Sequence, residues 1–285
     1  MLNNFAIVFS YENKTVLETI VNTDHEKMAM ALAFSIRQHM PAVPVFCGSF
    51  TNNTPSDVGR RWFTKYNVNL LEELIFDDIG KSDGYMFLRT FTKDYFAKKL
   101  LSNYDFLLYL DIDVLALRPF EFPFDPSGPM VLTEKMPNWI KKWHLHHLDD
   151  FEGNLYYNWI EIINTHNSYL FDLDFTDPYV TKNHNADKIV STNIDNSDLE
   201  IIDQNIGGYH PCLKPPAQSQ ICYHYDSLGQ EGSLHAIKDT HPAEYQKYMM
   251  LFKDILNTKI SNQPGYWENI KNSGANEISY KPTAG

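Results

Sequence analysis

The sequence predicts an α/β fold with a mostly parallel central sheet flanked by helices, and three observations carry that prediction. Short apolar strands alternate with amphipathic helices through the first 120 residues. One run, Phe106 to Leu110, is apolar at every position, too short for a buried helix and too apolar for an edge strand. That run ends in Asp111-Ile112-Asp113, two carboxylates at the carboxyl end of a predicted central strand, where ligands bind in such sheets.

Phe5 to Phe9 is the first strand, and Thr15 to Val21 reads as a second extended piece. Thr23 and Glu26 have capping-box spacing, so Thr23 is expected to cap a helix and Glu26 to reach back to it. Met28, Ala31, Leu32, Ile36 and Met40 follow at helical spacing, and Pro41 stops the helix. Val43 to Phe46 is a strand. Ser56 to Tyr66 is a helix with Val58, Trp62 and Phe63 expected inward, and Leu70 to Phe76 is a strand. A helix over 82–102 carries the apolar stripe Phe87, Leu88, Phe91, Tyr95 and Leu100, with the cations Arg89, Lys93, Lys98 and Lys99. It feeds the Phe106–Leu110 strand.

After Phe120 prolines at 119, 123, 126, 129 and 137 break the chain around a strand at Met130 to Thr133. The segment 138–160 is dense in Trp, His and Tyr. Two readings compete for it: aromatic faces that stack on a sugar, and core packing of Trp139, Trp143, Tyr156 and Trp159 at helical spacing. His144, His146 and His147 share no face of a helix or strand and read as surface histidines. Residues 172–200 are polar and predicted as loops and short strands, and Ile221 to Tyr225 as a strand. His241-Pro242 opens a helix whose inner face is Tyr245, Tyr248, Met249, Phe252, Ile255 and Leu256. The last 25 residues read as a loosely ordered tail.

The chain has 285 residues, enough for one large domain or two small ones, with 43% hydrophobic and 21% charged residues, a globular composition. Its net charge of −12 argues against a general nucleic-acid surface, so an anionic substrate needs a metal or local cations. Cys47, Cys212 and Cys222 are odd in number and lack CxxC spacing, which predicts free thiols in a reducing, cytoplasmic setting. No leader pattern and no membrane-spanning window is visible.

Asp111 and Asp113, read as i and i+2 on a strand, would project from one face. Buried side by side they repel and are desolvated, costs that a shared divalent cation removes. The apolar strand, Asp-x-Asp, Val-Leu and Arg118-Pro119-Phe120 resemble the metal-dependent GT-A glycosyltransferases, nearest the group of glycogenin and the bacterial lipopolysaccharide glucosyl- and galactosyltransferases. The resemblance covers residues 1–135, and 221–229 more weakly.

It implies a single Rossmann-like domain over 1–285: a nucleotide-sugar half at 1–120, an acceptor-side half at 121–240, a C-terminal helix at 241–260 and a tail at 261–285. It implies Mn2+ (or Mg2+) held by Asp113 directly, by Asp111, which would also contact the donor ribose, and by His224 as third ligand. It places the nucleotide base near Phe9, Ser10 and Asn22 to Asp24, and the diphosphate near Arg89 and Lys93. The family's Lys-Pro-Trp after the histidine is absent here, and Lys238 stands as its substitute.

The implied reaction moves a hexose from a nucleotide-diphosphate sugar, with UDP as the expected carrier, to a glycan or other hydroxyl acceptor. The metal would stabilise charge on the leaving phosphate. A base is open among Asp149, Asp150, Glu152 and Glu134, and Asp203-Gln204 is similar to the family's Asp-Gln near the acceptor. Two rival readings remain: a haloacid-dehalogenase-like phosphatase with Asp111 as nucleophile, and a non-catalytic sugar-binding module of the same fold.

Overall fold

The computed structural model describes residues 4–10, 25–50, 54–73, 100, 103–120, 131–135, 156–167, 199–201, 218–225 and 234–258. Seven strands form one sheet. In chain order these are β1 (Phe5–Ser10), β2 (Val45–Phe50), β3 (Val68–Glu73), β4 (Phe106–Leu110), β6 (Val131–Lys135), β7 (Tyr156–Asn164) and β8 (Leu199–Ile201). Across the sheet they run β3-β2-β1-β4-β7-β6-β8. β1, β2, β3 and β4 are parallel. β7 runs against both β4 and β6, and β8 is parallel to β6. Among the described strands of this sheet six therefore share one direction and β7 opposes them.

A second, two-stranded antiparallel sheet pairs β5 (Val114–Ala116) with β9 (Cys222–His224). The helices are α1 (His25–His39), α2 (Asp57–Lys65) and α3 (Pro242–Met250), the last continuing into a π-helical turn, Leu251–Ile255. None of the described helices is long and apolar enough to cross a membrane.

β4 is the middle strand, and all five of its side chains are buried, as an all-apolar run demands. Phe106, Leu108 and Leu110 face the main core with Ile7, Phe9, Val45, Cys47, Ile160 and Ile162. That core is closed by α1, which is buried nearly all round from Met28 to Ala33 because it packs on α2, β5 and the π-turn.

Thr23, the expected cap of α1, lies outside the described residues, and Glu26 reaches to the foot of α2. Its carboxylate accepts from the Ser56 N–H at 2.7 Å and the Ser56 hydroxyl at 2.9 Å, and Ser56 in turn caps α2 by accepting from Gly59 N–H. A side chain at Gly59 would run into that carboxylate. Val58 is exposed, contrary to expectation, because Gly59 and Phe63, four apart, take the inward ridge of α2. Ile255 is also exposed. The π-turn adds a residue to its hydrogen-bonded loop, with Leu256 N–H reaching Leu251 C=O, and so Leu251 takes the inward place.

β7 corrects another expectation. Helical spacing predicts a helix for Tyr156 and Trp159, but both lie on a nine-residue strand, consistent with its aromatic and β-branched content. The 15–21, 82–99 and 138–155 segments and the tail lie outside the described residues.

Arg37 ties the far edge together. Its guanidinium donates to the carbonyls of Met40, Pro41 and Val43 beyond α1, and to Tyr66 and Asn67 beyond α2. Asn67 sits at φ 50, the left-handed position that ends a helix and that Asn tolerates.

Candidate metal centre at the end of the central strand

β4 ends at Leu110 and the chain turns at once. Val114 N–H donates to Asp111 C=O at 3.3 Å, closing a tight turn through Ile112 and Asp113. The two carboxylates therefore converge through a turn and not through strand alternation. Asp111 is anchored to the neighbouring strand, its N–H donating to Trp159 C=O at 2.9 Å. Asp113 is anchored to the ribbon, its C=O accepting from Tyr225 N–H at 3.0 Å.

His224 arrives from β9, directly opposite Val114. Its Nε2 lies 3.1 Å from Asp113 Oδ1. Its ring stacks on Trp159 of β7, with centroids 5.2 Å apart and planes 17° apart. Trp159 is itself buried, so the imidazole rests on a fixed wall. Asp111 and His224 are buried, while the Asp113 side chain keeps 18% of its surface exposed and opens the group to solvent.

One ligand atom from each of Asp111, Asp113 and His224 lies within 4.8 Å of the others. Two donors on one hard cation, each at 2.0–2.6 Å, are at most about 4–5 Å apart. The three residues therefore fit a single divalent ion, held by a mixed oxygen and nitrogen set. Tyr225, next in the chain, has a buried hydroxyl that burial and the nearby Asp113 carboxylate push well above its ordinary pKa.

The other expected residues are placed as follows. The Phe9 side chain is in the core against Phe63, and Ser10, at the end of β1, shares a 2.8 Å hydrogen bond with the Tyr109 hydroxyl of β4. Lys238 is exposed in the turn after a 3-10 helix, Leu234–Ile237. Glu134 lies on β6 where its register with β7 shifts, between Thr133 and Lys135. Asp24, Arg89, Lys93, Asp149, Asp150, Glu152, Asp203 and Gln204 lie outside the described residues.

The sequence reading missed Glu161, a buried carboxylate on β7 directly opposite Tyr109, and the Trp159 wall behind His224. The signal for Trp159 was present: Tyr156 to Ile163 is rich in strand-forming residues, and Asn158 and Glu161 disguise it as an interrupted pattern.

No family profile and no curated protein matches the sequence. Among solved structures the chain is similar to the galactosyltransferase LgtC, determined with donor and acceptor sugar analogues. The identity is 11%, the match covers 93% of this chain and 99% of the other, and the TM-score is 0.52. It is also similar to the glycosyltransferase GlyE of Streptococcus pneumoniae TIGR4, at 11% identity over 98% of this chain and 66% of that one, with a TM-score of 0.46. The chain has the GT-A glycosyltransferase fold.

Proposed function

We propose that this chain is a glycosyltransferase, moving a hexose from a nucleotide-diphosphate sugar, UDP-linked, to a glycan or other hydroxyl acceptor, with Mn2+ bound by Asp111, Asp113 and His224. One observation carries the reading: three side chains from the β4–β5 turn and from β9 converge within 4.8 Å at the carboxyl end of the central strand. The fold shared with a galactosyltransferase supports it. A bound divalent cation would supply charge stabilisation to the departing diphosphate. That need is acute in a protein of net charge −12.

The chain's own residues divide the work. Asp111 and Asp113 present oxygens, and Trp159 holds the His224 ring so that Nε2 faces them. We assign the donor base to the β1 end at Phe9 and Ser10 with Asp24, and the diphosphate to Arg89, Lys93 and Lys238. The acceptor side, 121–240 of a single domain, contains the candidate bases Asp149, Asp150 and Glu134, and Asp203-Gln204. The burial of Cys47 and Cys222, with three cysteines in all and no CxxC spacing, supports a reducing, cytoplasmic setting.

Thermal unfolding with Mn2+ and a nucleotide panel tests the reading. A ligand that binds only the native state raises the melting temperature, and a 100-fold excess over Kd adds about 2.7 kcal/mol. The expected result is a rise with Mn2+ plus UDP or GDP that neither gives alone. Silence with every nucleotide, together with Mg2+-dependent cleavage of a phosphomonoester, rejects it in favour of a phosphatase.

A further inference from the structure

The ribbon that carries Asp113 and His224 is only three residues long on each strand. Its inner ladder passes through Tyr225 N–H to Asp113 C=O and Leu117 N–H to Ile221 C=O. In antiparallel pairing the alternate pairs, Val114 with His224 and Ala116 with Cys222, turn their peptide groups outward. A strand this short, with an unpaired buried edge, is not stable by itself.

Each outward group named here has a partner. Val114 N–H meets Asp111 C=O within the turn. Ala116 N–H donates to Ser35 Oγ of α1 at 3.0 Å, and Ala116 C=O accepts from the Tyr248 hydroxyl of α3. On the other strand Gln220 Nε2 donates to Cys222 C=O at 2.7 Å. Ser35 and Tyr248 are both wholly buried, and Ser35 is locked by donating to Leu32 C=O at 2.8 Å. Tyr248 is braced by Phe34 of α1, edge to face at 6.5 Å.

We infer that Ser35 and Tyr248 are positioning residues for the cation: by gripping both peptide groups of Ala116 they fix β5 along its length and so set Asp113 against His224. The inference rests on the cation reading above. Neither hydroxyl touches the three ligands. The link runs through the backbone of Leu115 and Val114 to Asp113, and across the ribbon to His224. If the two hydroxyls only satisfied buried groups, removing one would cost stability and leave the affinity for the ion unchanged.

The test uses Tyr248→Phe and Ser35→Ala in the full chain, with Mn2+ affinity measured by calorimetry. It adds hydrogen exchange at the Val114 and Tyr225 amides, recorded without added metal. The expected result is a folded variant whose two amides exchange about tenfold faster and whose Mn2+ affinity falls about tenfold or more, the size typical of residues that orient ligands. A lowered melting temperature with wild-type exchange and wild-type Mn2+ affinity overturns the inference and leaves the cation reading standing. Wild-type protein that binds no Mn2+ overturns both. Ser35→Ala, the milder truncation, carries the test should Tyr248→Phe fail to fold.

Discussion

β4 and the β5–β9 ribbon are joined by one tight turn, yet different forces hold them. β4 has a backbone ladder on both sides, to β1 and to β7, and five buried apolar side chains. Among the described residues β5 has a ladder on one side, and on the other its peptide groups meet hydroxyls from two helices. Apolar burial is large and tolerant of small shifts, whereas a hydrogen bond is modest in net energy and strict in geometry. The chain thus builds its platform from the first and places its ligands with the second.

The largest effect expected is on the platform. Leu108→Ala removes a core side chain from the middle of β4 and should cost about 2–5 kcal/mol in urea unfolding, since a cavity remains. A cost well below that range would mean that β4 is no better held than the ribbon.

Arg37→Ala sharpens the contrast by removing a polar tie from the platform edge. It strips donors from the carbonyls of Met40, Pro41, Val43, Tyr66 and Asn67, and we expect a loss of roughly 2–3 kcal/mol from charged hydrogen bonds of this kind. Equal stability in the variant would show that solvent replaces the guanidinium freely.

A smaller effect is expected from acid at the foot of α3. Burial lowers the pKa of His39, with Lys247 and His241 pushing the same way and Glu244 opposing. Burial also lowers that of His241, where Arg118 adds to the fall and Glu244 and the Gln218 backbone oppose it. Both histidines take protons more readily unfolded than folded. Their contribution is intact above about pH 6.5, the unfolded value, and declines as pH falls below it. Melting temperature between pH 7.5 and 5 should therefore drop, and the drop should shrink in a His39→Gln, His241→Gln double variant.

The smallest stability effect should come from the ligands. Asp113→Asn, without metal, is expected to stay within about 0.5 kcal/mol of wild type, because that side chain is partly exposed. The same variant should lose all stabilisation by Mn2+ with nucleotide. A persistent response would remove Asp113 from the ligand set.

Much of the platform was legible in the sequence because apolar periodicity is a local property. Phe106–Leu110 emerged with its bounds unchanged, and Pro41 and Ser56 marked helix ends within a residue of those observed. The Asp-x-Asp was legible as a pair, but its geometry was not, since a turn and a strand alternation bring two acids together equally well on paper. Val58 and Ile255 were misplaced where one residue of helical phase decides the face. Ser35 and Tyr248 could not be read as site-bearing at all. Their roles depend on which distant backbone they meet, and a serine inside a helix or a tyrosine on an apolar stripe carries no local mark of that.

Ala116 has a consequence for the order in which the chain assembles. It is tied to Ser35, 81 residues before it, and to Tyr248, 132 residues after it. Contacts of such long sequence separation carry a large loop-closure cost and form late. During synthesis the sheet can gather strand by strand and Ser35 can reach Ala116, but the Tyr248 tie exists only once the ribosome has released residues beyond 248. The capacity to grip an ion should then arise at the close of folding, so that a chain stalled short of that point holds no finished centre.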